Sequence, residues 1–153
     1  MQINSLSFCI PTYNRAQILK ELLNSINHSF YSSKQIIDFE ILICDDGSSD
    51  KTKNIVKDFK DKNPNINIKY YFQNNQGRAS SLITLINKAN KKYLMIMDDD
   101  DLIPLIFFKE INNKNLELKK NKLNYFVSNK ISGISFLCSD TKNKIIGNKF
   151  KKN

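Results

Sequence analysis

Tyr93-Leu94-Met95-Ile96-Met97-Asp98-Asp99-Asp100-Asp101 joins a short hydrophobic run to four consecutive carboxylates. A run of this length and composition reads as a buried β-strand, which puts the acids at its carboxyl end. Successive side chains on a strand alternate between faces. Asp98 and Asp100 then point together and Asp99 away, setting two hard oxygen donors about 7 Å apart. Like charges this close raise one another's pKa values and destabilise a fold unless a cation joins them, so the pattern points to a divalent metal. The competing reading is a solvated acidic turn, because Asp favours turns and helix caps and Pro104 suits a first helical turn.

Upstream, apolar runs at Leu6 to Ile10, Phe39 to Cys44 and Ile66 to Phe72 predict three further buried strands. Helical spacing of three and four separates them: Ile18, Leu19, Leu22, Leu23 and Ile26; Ile55, Val56 and Phe59; Leu82, Ile83, Leu85, Ile86 and Ala89. The order βαβαβαβ predicts an α/β fold, a Rossmann-like, mostly parallel sheet with helices on both faces and any ligand at the carboxyl ends of the strands. Polar residues gather at those ends: Thr12, Tyr13 and Asn14 after the first strand, and Asp45 and Asp46 after the second. Ser48, Ser49 or Asp50 caps the second helix. After Pro104, Leu105 to Ile111 predicts one more helix. Residues 112–124 are rich in Asn and Lys and are expected to be flexible, and 134–138 with 144–150 read as a strand hairpin.

Three blocks carry a resemblance. Ser7-Phe8-Cys9-Ile10-Pro11-Thr12-Tyr13-Asn14-Arg15, then Phe39-Glu40-Ile41-Leu42-Ile43-Cys44-Asp45-Asp46-Gly47-Ser48-Ser49-Asp50, then the strand and aspartates of 93–101, resemble in order and approximate spacing the family 2 glycosyltransferases of GT-A fold. The resemblance is strongest over residues 6–111 of an expected single domain, with 112–153 as the start of a truncated acceptor-side region. It implies a nucleotide-diphosphate sugar donor, a UDP-sugar in the first place, and Mn2+ or Mg2+ as Lewis acid for the departing diphosphate. By resemblance Asp98 faces the donor ribose and the metal, Asp100 ligates the metal, Asp99 fills a variable middle position, and Asp101 caps the following helix. Pro11, Thr12 and Tyr13 line the nucleotide pocket, Tyr13 offering its ring to the base, and Asp45 or Asp46 accepts a hydrogen bond from a base N–H. Where the family usually carries an Arg-Asn pair this chain has Leu82-Ile83, and Arg78 is the candidate to supply the missing positive charge to the phosphates. An inverting transfer also needs a general base; of the acids after Asp101, namely Glu110, Glu117 and Asp140, none matches one.

The implied acceptor is a saccharide or a lipid-linked saccharide, as in surface polysaccharide assembly. The chain of 153 residues has a net charge of +9, concentrated in residues 109–153, where eleven Lys face three acids. Such a segment suits peripheral attachment to an anionic membrane surface. It has no arginine and few interleaved aromatics, so nucleic acid is not an expected partner. No run of about 18 apolar residues is present and Met1-Gln2-Ile3-Asn4-Ser5 lacks the order of a secretory signal, which predicts a cytoplasmic protein, peripheral at most to the inner face of the membrane. Cys9, Cys44 and Cys138 are dispersed in apolar runs and His28 stands alone, a pattern of packing or surface residues that does not suit zinc.

Rival readings explain less. A catalytically incomplete nucleotide-sugar-binding fragment accounts for the missing base. A phosphoacceptor signalling domain gives Pro11 to Asn14 no role, and a nucleotidyltransferase wants a glycine-rich basic loop after the first strand.

Overall fold

The computed structural model describes residues 4–34 and 37–111. Four strands, β1 (Ser5–Thr12), β2 (Asp38–Asp45), β3 (Asn67–Phe72) and β4 (Tyr93–Ile96), alternate with α1 (Ala16–Ser33), α2 (Thr52–Lys62) and α3 (Arg78–Lys88), and α4 (Phe107–Ile111) follows. The strands form one parallel sheet of order β3-β2-β1-β4. The chain therefore builds outward from β1 through β2 to β3 and then crosses back to the other side of β1. In open α/β sheets such a reversal opens a crevice at the carboxyl ends of the strands flanking it, here β1 and β4.

Strand parity divides the core. Leu6, Phe8 and Ile10 share a face with Phe39, Ile41 and Ile43 through the β1–β2 register, and this face is covered by α1 and α4. The rings of Phe8, Phe30, Phe39, Phe107 and Phe108 meet there at 4.8 to 6.0 Å between centroids. Full burial of such a side chain contributes about 1.5–3 kcal/mol. On the opposite face Cys9, Leu42 and Cys44 pack beneath Leu85 of α3, with Leu82, Ala89 and Tyr71 at the margin. Helices thus lie on both faces, as the sequence predicts.

Glu40, fully buried on the α3 face, is the polar exception. It accepts hydrogen bonds from Ser7 Oγ at 2.8 Å, Lys69 Nζ at 2.9 Å and the Asn90 N–H at 2.7 Å. Burial pushes its carboxyl up, but the Asn90 amide, the Lys69 ammonium and Ser7 together outweigh that and hold it below the usual carboxylate range. This one side chain ties β1, β2, β3 and the connection into β4 together.

The connecting loops after β1 and β2 are joined as well. Asn14 N–H donates to Ser48 Oγ and Ser49 N–H donates to Asn14 Oδ1, each at 2.8 Å. Asp50 accepts from the Thr52 N–H at the start of α2 and from the Ala16 N–H at the start of α1. It is the member of the Ser48, Ser49 and Asp50 set that binds the first amide of α2, from the position before the N-cap Lys51, and it holds the first amide of α1 as well.

Three expectations are corrected. The run Tyr93 to Met97 is not a fully buried strand: among the described strands β4 is an edge, and Leu94 and Ile96 are exposed. Asp101 does not cap the next helix, because α4 begins only at Phe107 and the Asp101 N–H instead closes a turn on the Asp98 carbonyl. The predicted helix from Leu105 is shorter than its apolar run: Leu105 and Ile106 form a turn closed by the Phe107 N–H on the Pro104 carbonyl, and the Ser25 and Ser29 hydroxyls of α1 bind the backbone of Ile103 and Leu105. The flexible stretch and the hairpin expected beyond residue 111 lie outside the described residues.

Candidate functional site

At the carboxyl ends of β1, β2 and β4 lies a pocket of about 360 Å³, lined by Pro11, Thr12, Tyr13, Arg15, Asp46, Arg78, Ser81, Asp98, Asp99 and Asp100. Its place follows from topology: β1 delivers the first four, β2 delivers Asp46, the first turn of α3 brings Arg78 and Ser81, and the turn after β4 brings the aspartates.

β4 ends at Ile96. The Met97 N–H still donates to the Cys9 carbonyl, and beyond it the chain turns. Strand alternation does not extend to the acids, so Asp99 does not point away. It is the most buried of the three, with a side chain 6% exposed, and it accepts from Thr12 Oγ1 at 2.7 Å and Arg15 Nη1 at 3.0 Å. Asp100 accepts from the same Arg15 nitrogen at 3.0 Å, and Asp98 accepts from Arg78 Nε at 2.9 Å. The hydrogen bond to Asp99, and then its charge and those of Asp100, push the Arg15 guanidinium further up. Asp101, outside the pocket, is pushed up by burial and then by the charges of Asp98 and Asp100.

The two acids after β2 separate. Asp45 is buried and turned from the pocket, held by the Tyr70 hydroxyl on Oδ2 and the Ser48 N–H on Oδ1. Burial, then the hydrogen bond to Asp45, pushes the Tyr70 phenol well above its ordinary range. Asp46 lines the pocket. Gln73 Nε2 and the Gln76 N–H donate to its Oδ1, and the Gly77 N–H to its Oδ2, at 2.7 to 2.9 Å. Burial raises this carboxyl, but those bonds outweigh it and hold it below the usual range. The Ser81 hydroxyl acts on the same carboxyl and lowers it further.

Tyr13 is 48% exposed, so its ring is a pocket wall rather than core. Arg78 reaches the pocket from the start of α3, and Gly77 before it adopts φ +88°. Cys44 lies under the floor, its thiol donating to Gln73 Oε1 and pushed up by burial; the Cys9 thiol is pushed up to about 11 by burial and then by Glu40. His28 is exposed on α1. Glu110 is exposed on α4 and is not a lining residue, while Glu117, Asp140 and Cys138 fall outside the described residues.

Sequence reading missed Arg15, Ser81 and the inward role of Asp99. Arg15 had a readable signal: it is the nearest cation to the end of β1 in a chain that delivers four acids to the neighbouring strand end.

Among the described residues no group of three or more His, Cys, Asp or Glu side chains is gathered to hold a metal by itself. The carboxylates of Asp98 and Asp100 nevertheless fit Mg2+ or Mn2+, since Mg2+ takes one or two carboxylates and fills its remaining positions with water and substrate phosphate. No described helix is long and apolar enough to cross a membrane.

The sequence profile of glycosyl transferase family 2 matches residues 7–114. Over 103 residues the chain is 34% identical to the poly-beta-1,6-N-acetyl-D-glucosamine synthase of Staphylococcus epidermidis, a stretch covering 67% of this chain and 23% of that protein. The mannosyltransferase of Pyrobaculum calidifontis, solved with GDP-Man and Mn2+, is similar with a TM-score of 0.58 and 26% identity over 65% of this chain and 28% of that one. TarS of S. aureus, residues 1–349 with UDP, is similar with a TM-score of 0.56 and 27% identity over 69% and 29%. The chain spans about a third or less of the length of the curated relatives it matches. With its three sequence blocks gathered at one strand-end pocket and the profile covering most of its length, this chain belongs to glycosyl transferase family 2.

Proposed function

We propose that this chain binds the donor for a glycosyltransferase that moves a sugar from a nucleotide-diphosphate sugar, a UDP-sugar in the first place, to a saccharide or glycolipid acceptor. The reaction inverts the anomeric carbon, uses Mn2+ or Mg2+, and serves surface polysaccharide assembly. The observation that carries this reading is the meeting of Asp46, Asp98, Asp99 and Asp100 with Arg15 and Arg78 around one pocket at the sheet's topological reversal. Support for the donor and metal class comes from two similar structures, solved with GDP-Man and Mn2+ and with UDP, and for the acceptor class from the polysaccharide synthase.

Roles follow from position. Tyr13 stacks on the base, and Asp46, already held by Gln73, Gln76 and Gly77, accepts its N–H. Pro11 and Thr12 form the wall between base and ribose. Asp98 faces the ribose and, with Asp100, holds the cation. A divalent cation there neutralises charge on the departing diphosphate. Arg78 adds positive charge on the phosphates, the task assigned elsewhere in the family to the pair this chain lacks. The basic segment 109–153 holds the protein at an anionic membrane surface, an attraction that salt screens.

Calorimetric titration with UDP, GDP, CDP and dTDP, with and without Mn2+ and with Asp100→Ala as control, tests this function. Mn2+-dependent binding of one nucleotide that the substitution abolishes supports it. Failure of the wild-type chain to bind any of them sinks it. Sedimentation with anionic liposomes at rising salt tests the membrane contact, which should weaken as salt is added.

A further inference from the structure

We propose that Arg15 and Arg78 are exchangeable counter-ions: they neutralise Asp100 and Asp98 when no cation is present and pass to the donor diphosphate when a divalent cation takes those carboxylates. This rests on the donor-site reading above and adds to it an order of events and a role for Arg15.

The geometry of Arg15 separates an anchor from a releasable contact. Its Nη1 bonds both Asp99 and Asp100 at 3.0 Å. Asp99 is 6% exposed and is also held by Thr12, whereas the Asp100 side chain is 57% exposed. The solvated contact is weak and screened, and the buried one is costly to lose. Giving up Asp100 therefore leaves Arg15 fixed at the pocket wall by Asp99. Arg78 and Asp98, 56% and 49% exposed, form a second releasable pair. A guanidinium carries five N–H donors in a planar fork suited to phosphate. Among the described residues Arg15 spends the two of Nη1, and Arg78 spends donors on Nε and Nη2 only.

Charge decides the order. Four carboxylates and two guanidiniums line the pocket, so it is net negative and a diphosphate entering alone is repelled. A divalent cation offsets the two charges of the diphosphate, and it occupies the same carboxylates that restrain the arginines. Cation and donor are thereby coupled: each makes room for the other.

The test uses the full chain with Arg15→Ala, Arg78→Ala and the conservative Arg15→Lys, checked for folding by circular dichroism. Mn2+ affinity is read alone by titration; UDP or GDP affinity is read at saturating Mn2+; and the matching nucleoside serves as the phosphate-free probe. Loss of an exposed competing ion pair should tighten Mn2+ binding about two- to fivefold. Loss of charge-assisted bonds should weaken the diphosphate about tenfold or more, leaving the nucleoside unchanged. Arg15→Lys should recover most of the diphosphate affinity. If both alanine variants bind Mn2+ no more tightly than wild type, or lose nucleoside and diphosphate alike, the exchange is wrong while the donor site stands. If wild type binds neither Mn2+ nor nucleotide, the donor-site reading fails and this inference with it.

Discussion

Thr12 Oγ1 donates to Asp99 Oδ2 at 2.7 Å, joining the last residue of β1 to the turn after β4 across 87 positions of sequence. Both groups are buried, so neither can turn to water if the other is removed. Thr12→Val keeps the shape and deletes the donor. It should destabilise the protein by about 1–3 kcal/mol, read by urea denaturation. It should also weaken nucleotide binding, because Asp99 anchors Arg15.

Gln73 is the corresponding brace for Asp46, with Nε2 on the carboxylate and Oε1 accepting from Thr84 and Cys44. Gln73→Leu removes that brace while the Gln76 and Gly77 amides remain. Nucleotide affinity should fall about tenfold or less, as for one charge-assisted hydrogen bond, with Mn2+ affinity unaltered in the same titration. A parallel loss of Mn2+ binding would show that Gln73 acts on the whole pocket instead.

Glu40 makes stability depend on pH. Its carboxyl is held below the ordinary value of 4.5, so its stabilisation is complete above that value and is lost as pH falls through the lower, folded one. Glu40→Gln should lower stability at neutral pH, and the gap to wild type should narrow as the solution is acidified below about pH 4. Denaturation midpoints measured from pH 7 to pH 3 give the check. A gap that widens in acid would reverse the assignment.

Two glycines share φ +88° but differ in surroundings. A Cβ on Gly47 would stand 2.9 Å from the backbone nitrogen of Asn75, while one on Gly77 meets nothing within 4 Å. Gly77→Ala should cost only backbone strain, about 1–3 kcal/mol. Gly47→Ala adds a clash with main chain that cannot swing aside, and should be the less stable of the two in thermal melts.

Local pattern was enough for the architecture. Of Ile18, Leu19, Leu22, Leu23 and Ile26, which the spacing of three and four marks in α1, the last four are fully buried and Ile18 is exposed at the margin, and the apolar runs of β1 and β2 coincide with the two central strands. Pattern failed where an outcome depends on distant partners. Nothing near Leu94 and Ile96 marks β4 as the edge among the described strands; that is set by which strand the crossover reaches. The inward turn of Asp99 is decided by Thr12 and Arg15, more than eighty residues away. Likewise the choice between Asp45 and Asp46 rests on Tyr70, whose hydroxyl claims the first and leaves the second to the pocket. The four acids announced a cationic partner, but the chain's own arginines already stand opposite three of them.

The double duty of Asp50 has a dynamic result. Its two oxygens hold the first amides of α1 and α2, and Asn14 with Ser48 and Ser49 completes the seam. To expose the amide of Asn14, Ala16 or Ser49, the loop carrying it must separate from the other loop, which breaks the neighbouring bonds too. The backbone hydrogens of Asn14, Ala16 and Ser49 should therefore exchange with deuterium at one shared rate, as a single opening unit.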